Sequence, residues 1–488
     1  MVETIRRSRA LAGVVVVLAV LGGCAAGVPG AGRSPAGTAE RAAPWPQRPV
    51  VDATLDMAPD LSSATGRQTV RLTPDTGVCE LVFRLWSNRP TVVANGGSSR
   101  VTDARVDGTP VTPRTERAGA PDGAPGTLVA LPLPGCAEAG TPVTAELGFT
   151  LTLGADSDER IGYSPSAGTA WLGTPLPVLD LVRGRGWVRT PATRMSGETV
   201  VAEDQRLTLA VTARAGQQVV GAGTATGTRD AGGGRVTHTF AADAVRDVAV
   251  AVGAYDLGTT TVGATRVHVG VPAQGRAGAP RGGALRGSAQ DWHDEVARLL
   301  PALERVLGPY PYPDLWLAVV PTQSDGIEFP THLQFGDVDA GTRPSLAAHE
   351  LAHSWFYALV GNDQGRDPWL DEAFATWAQA LVAGQRDLYR IEDFGPGEVA
   401  GPIGAPMAWW DRNGGFDALV DGVYDQGAAA LFEGRDRVGA DRFDAAVRGY
   451  VAANAHRVAA PADVERAFAG LPEVLAVLRE HGAFDPPR

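Results

Sequence analysis

The chain has 488 residues, 44% of them hydrophobic, enough for roughly two to four domains with ordinary cores. Its 43 basic residues are all arginine and are outnumbered by 55 carboxylates, for a formal net charge of −12. That balance excludes a general basic surface for phosphate backbones, and with it nucleic acid as a partner.

Export is the first expectation along the chain. Arg6, Arg7 and Arg9 precede an apolar run from Ala10 to Leu21, the charged start and hydrophobic middle of a signal sequence. The run is shorter than the roughly 20 apolar residues of a spanning helix. Leu21-Gly22-Gly23-Cys24 follows and resembles the processing box of bacterial lipoproteins, which implies a mature chain anchored to the membrane by acyl groups on Cys24. An ordinary cleaved signal is the other reading. Residues 1–24 are thus assigned to the signal and 25–48, rich in Gly, Ala and Pro, to a flexible tether. Setting Cys24 aside leaves Cys79 and Cys136, which an oxidising exterior allows to pair as a disulfide; two unrelated thiols is the alternative.

From 49 to 258 short alternating runs are separated by Gly, Pro, Asp and Asn. Glu80-Leu81-Val82-Phe83-Arg84-Leu85-Trp86 and Arg206-Leu207-Thr208-Leu209-Ala210-Val211 are examples. Period-two alternation predicts a largely antiparallel, sandwich-like β domain. Its His238 and Trp171 read as packing residues.

Helical periodicity then takes over. Trp292, Val296, Leu299, Leu303 and Val306 predict an amphipathic helix that contains Pro301. Leu315 to Val320 reads as a buried strand, and Ile327-Glu328-Phe329 as a second one. Two more helices are expected, over 346–360 and 369–383, and the chain beyond Tyr424 reads as helical to its end. Residues 259–488 form the second domain in this reading.

The chemistry is concentrated in His349-Glu350-Leu351-Ala352-His353. Four residues apart on a helix, both imidazoles share a face and can reach one metal ion, with Glu350 at its edge. Zinc requires a third protein ligand and an open position. Glu372 is the candidate, 18 residues beyond His353 at the start of the next predicted helix. A helix pair joined by a short connection brings it back to the metal. A carboxylate among Trp369, Leu370 and Phe374 also needs a partner.

This motif, the 18-residue gap and Trp369-Leu370-Asp371-Glu372-Ala373-Phe374-Ala375 resemble the gluzincin aminopeptidases, the group of aminopeptidase N and the leukotriene-hydrolysing enzyme. Gly308-Pro309-Tyr310-Pro311-Tyr312-Pro313, Val360-Gly361-Asn362 and Val423-Tyr424-Asp425-Gln426-Gly427-Ala428 are similar to further family segments, in the family's order. The resemblance is specific over about 285–431. It implies an α+β multidomain protein, a β-rich domain followed by a thermolysin-like zinc peptidase domain that ends in helices. One zinc ion, peptide substrates, Glu350 as general base, Tyr424 as oxyanion donor and Glu328 as anchor for a substrate's free amine are implied with it. Phe329 stands where the family has Asn, Gln426 where lysine is common, and no acidic partner for Glu328 is evident in the β-rich half. With 116 residues after Glu372, the chain is also expected to lack the family's large C-terminal cap, which leaves a more open cleft. An endopeptidase or amide hydrolase of the same fold, and a non-catalytic zinc-binding lipoprotein, remain as alternatives.

Overall fold

The computed structural model describes residues 40–197, 200–273, 285–394 and 401–484. Cys24, the signal sequence and most of the tether lie outside the described residues. The tether's expected end does not. From residue 42 onward it packs on the body, with the Ala42 amide donating to the Ala452 carbonyl and Trp45 lying beneath Arg183. A tryptophan in an otherwise small-residue stretch is what draws this segment onto the protein.

The β-rich half consists mainly of one eight-stranded and two four-stranded sheets that bury their inward faces in a common core. Alternation is regular, as in the strand Gln205–Arg214, whose Leu207, Leu209, Val211 and Ala213 point inward. The eight-stranded sheet is largely antiparallel, but one interior pair, Val50–Met57 with Gln205–Arg214, runs parallel. Period two fixes which face is buried and says nothing of strand direction. Cys79 and Cys136 are joined, their Cα atoms 4.1 Å apart. Trp171 is fully buried, as its reading as a packing residue requires.

The second half is built on a five-stranded sheet in the order 255–262, 265–272, 314–320, 332–336, 326–329. The boundary expected after Gly258 therefore falls inside the sheet's first strand, Tyr255–Val262, whose exposed alternating pattern matches the strands before it. The strand Asp314–Val320 is buried along its whole length, with parallel neighbours on both sides. The last strand, Gly326–Phe329, is an antiparallel edge and borders the cleft.

Helix α1 (Ala289–Leu307) begins at a Ser288–Asp291 capping box and carries Pro301 within it. Helix α2 (Arg343–Ala352) is shorter than expected. It stops at His353, because Tyr357 takes a left-handed φ of 101° and residues 360–362 leave the helix to pair with the strand Arg457–Ala459. Helix α3 (Trp369–Ala383) ends on left-handed Gly384. Beyond Tyr424, α4 (Gln426–Val438) and further helices follow as expected, interrupted by the strand Arg457–Ala459.

Candidate active site

Helices α2 and α3 lie side by side and present His349, His353 and Glu372 to one point. His349 Nε2 is 3.2 Å from Glu372 Oε2 and 3.1 Å from His353 Nε2, and His353 Nε2 is 3.3 Å from the same carboxylate oxygen. A tetrahedral ion with bonds of about 2.0–2.1 Å separates its ligand atoms by roughly 3.3–3.4 Å, so these three donors are spaced for zinc. All three side chains are buried. Each imidazole offers Nε2 because its Nδ1 is engaged elsewhere: His349 with the Gln379 amide oxygen at 3.1 Å, His353 with the Phe356 carbonyl at 3.1 Å.

Electrostatics follow from the same burial. Loss of water would raise the Glu372 carboxyl, but the two imidazoles outweigh it and hold it well below the usual range. Burial likewise acts to lower His353, and Glu372 with Glu328 and Glu350 overcomes it, so its pKa is driven well above that of a free imidazole. A metal ion held here would need His353 in its neutral form.

Glu350 sits on the cleft side of α2, 2% exposed, and its Oε2 has no hydrogen-bond partner among the described residues. Burial pushes its carboxyl well above the usual range, and Glu328, Glu372 and Asp325 add to the shift against the pull of His353. The edge strand reaches it through Gly326, where an added Cβ would lie 2.5 Å from the Glu350 side chain. That contact accounts for the glycine two residues before Glu328. Glu328 itself is 6% exposed, lines the same cavity and has one oxygen unpaired among the described residues, so it is no solvated edge carboxylate.

Tyr424 arrives from the other side. It lies in a π-helical turn, Val420–Asp425, and its ring stacks on His349 at 5.7 Å. The turn fits against Trp410 only because residue 422 is glycine, since a Cβ there would lie 2.1 Å from the indole. Burial, with Glu372 next to it, raises the phenol well above its ordinary value and keeps the hydroxyl protonated.

The β-rich half closes the cavity with residues that escape notice in the sequence: Arg89, Asp158, Glu159, Arg160, Ser196 and Gly197. The Glu159 carbonyl accepts from Trp171 Nε1 at 2.8 Å and Gln323 Nε2 at 3.1 Å, so buried Trp171 serves to pin this turn. The Arg160 guanidinium lies over Trp86 and Phe329, 4.5 and 5.5 Å from their centroids. Phe329 thus supplies an aromatic face where the resembling family has Asn. Gln426, in place of the family's lysine, is buried and donates to the Gly401 carbonyl at 3.0 Å. Asp158 and Glu159 are acidic residues of the β-rich half in the lining that also holds Glu328. Their one signal was a charge-dense turn, Asp156-Ser157-Asp158-Glu159-Arg160. Among the described residues, nothing C-terminal to Tyr424 lines the cavity.

Residues 339–392, which hold all three ligands, match the family model of the peptidase family M1 domain. That segment of the chain is similar to the peptidase family M1 domain. Among solved M1 structures, a zinc metallopeptidase from Deinococcus radiodurans is 21% identical, with a TM-score of 0.65 over 89% of this chain and 94% of that one, which establishes the shared two-domain fold. Of curated M1-like relatives, aminopeptidase M1-D of Oryza sativa subsp. japonica is 26% identical over 172 residues, 29% of this chain. Aminopeptidase O of Mus musculus is 36% identical over 98 residues, 17% of this chain. The chain spans 19% and 12% of those two relatives' lengths. The three-donor cluster lies within the segment that matches the M1 model, and its donor set and spacing fit zinc.

Proposed function

We propose that this chain is a zinc aminopeptidase that releases N-terminal residues from peptides outside the cytoplasm. The observation that carries the reading is Glu328, a buried carboxylate with one oxygen unpaired among the described residues, in the same cavity as the three-ligand cluster. A carboxylate so placed is costly unless a cation meets it, and a peptide's α-ammonium is such a cation. Anchoring that group sets the scissile bond at a fixed distance from the chain end.

When bound, zinc supplies Lewis acidity, which polarises a carbonyl and makes water nucleophilic near neutral pH. Glu350 accepts the proton of the attacking water and delivers it to the departing amine, a task suited to a carboxyl whose pKa burial has raised. Tyr424, protonated and stacked on His349, offers its hydroxyl to the developing oxyanion. Asp158 and Glu159 add negative charge at the amine end of the cleft. A variant of the Deinococcus radiodurans metallopeptidase has been solved with a Tyr-Ser-Ala substrate, which is consistent with peptide access to such a cleft.

The test is a matched pair of peptides, one with a free amine and one N-acetylated. The free amine should be cleaved at least about tenfold faster, and Glu328→Gln should remove most of that preference by weakening one charge-assisted contact. Equal cleavage of both peptides would sink the exopeptidase reading and leave an endopeptidase of the same fold.

Attachment to the outer face of the membrane through acyl groups on Cys24 is part of the proposal, supported by Leu21-Gly22-Gly23-Cys24 behind a short apolar run. No helix among the described residues is long and apolar enough to cross a membrane. Labelling with a radioactive fatty acid should mark the wild-type chain and not Cys24→Ser; label on both would refute the assignment.

A further inference from the structure

The two ligand imidazoles are secured by different means. His353 Nδ1 meets the Phe356 carbonyl, a backbone group three residues ahead that no substitution removes. His349 Nδ1 depends on a side chain, the Oε1 of Gln379 on α3, two helical turns after Glu372. Nε2 of His349 can present its lone pair to the cluster only while Nδ1 carries the proton, and that requires an acceptor at Nδ1.

An amide has one accepting end and one donating end, so Gln379 does this only if something holds it the right way round. Gln385 supplies one hold, and the Tyr389 hydroxyl is a second hydrogen-bond neighbour of the same amide. Gln379 Nε2 donates to Gln385 Oε1 at 3.2 Å, and Gln385 Nε2 donates to Ser345 Oγ at 2.6 Å. Ser345 lies on α2 four residues before His349, on the same face of that helix. The relay therefore leaves α2 at His349, crosses α3 and the turn after it, and returns to α2 one turn away. Turning the Gln379 amide over would set its NH2 against the Nδ1 proton and its oxygen against the Gln385 oxygen.

We infer that Gln379 is a positioning residue of the metal site, and that the uncharged relay Ser345–Gln385–Gln379 selects the zinc-binding tautomer of His349. This rests on the zinc reading given above. A carboxylate at position 379 could accept the same proton without needing orientation, since both its oxygens are acceptors. The amide does it without adding charge beside a pocket that already holds buried Glu328, Glu350 and Glu372.

The distinguishing experiment is a zinc titration of the full-length protein against a chromophoric chelator, with kcat at saturating zinc measured alongside. Gln379→Met keeps the side chain's length and removes the acceptor, so zinc affinity should fall about 10-fold or more. Gln379→Glu should hold affinity at or above the wild-type level. Gln385→Met should weaken zinc binding in the wild-type background and lose that effect in the Gln379→Glu background, where orientation no longer matters. Folding damage alone would not produce that pattern, because Gln379→Glu shares the altered position.

Wild-type affinity, within about twofold, for both Gln379→Met and Gln385→Met overturns the inference. So does an undiminished effect of Gln385→Met in the Gln379→Glu background. Failure of the zinc reading shows itself separately, as wild-type protein that binds zinc no more tightly than His349→Ala.

Discussion

The helical wall of the cleft sets its functional side chains one or two turns apart on neighbouring helices, with His349, Glu350 and His353 on α2 and Glu372 and Gln379 on α3. The β-rich wall gathers Arg89, Asp158 to Arg160, and Ser196 with Gly197 from segments scattered over more than 100 residues of chain. In the first wall a local period does the positioning. In the second, long-range pairing does it: Arg89 is held by the carbonyls of Met195 and Gly197, and the 158–160 turn by Trp171, Trp86 and Phe329. On the proposed function, the helical wall supplies the chemistry and the β wall shapes which peptides reach it.

If that division holds, substitutions should grade from one wall to the other. Glu350→Gln, which leaves the three ligands in place, should retain zinc and lose roughly 10³-fold or more in kcat, the upper range for removing a general base. Wild-type turnover in that variant would refute the mechanism. Tyr424→Phe, which keeps the ring on His349 and removes only the hydroxyl, should lose about 100-fold in kcat with little change in KM.

On the other side, Glu159→Gln should lower kcat/KM for free-amine peptides by no more than about fivefold, the scale of a half-exposed charge, with kcat unchanged. A loss as large as that of Tyr424→Phe would move Glu159 into the catalytic set and break the comparison. The smallest expected effect on turnover belongs to the disulfide. Cys79→Ser with Cys136→Ser frees a 57-residue loop in the β domain and should cost about 2–4 kcal/mol in denaturant unfolding while kcat stays near wild type.

Much of the helical wall was legible beforehand. His349 and His353 share a face by spacing alone, and Glu372 stood out as a carboxylate in an apolar helix start. Gln379 could have been found the same way, since it lies seven residues beyond Glu372 on the same face. Tyr424 was a different case. Its role came from resemblance, because the π-helical turn that aims it over His349 depends on Gly422 meeting Trp410, a packing contact that helix or strand spacing does not report. The early end of α2 escaped for a related reason. Nothing local in Ser354 to Val360 forbids helix, and pairing of residues 360–362 with 457–459 overrides it.

What the sequence placed by itself is the candidate ligand set, with Glu350 beside it, and the succession of a β-rich half and a helical half, because helix and strand periods convert spacing into shared faces without reference to the rest of the chain; the role of Glu350 as base came from resemblance. The acids of the β wall, the cradle of Arg160 and the orientation of the Gln379 amide were decided only by the tertiary structure. Each depends on groups brought together from remote positions, and no period along the chain encodes such a meeting.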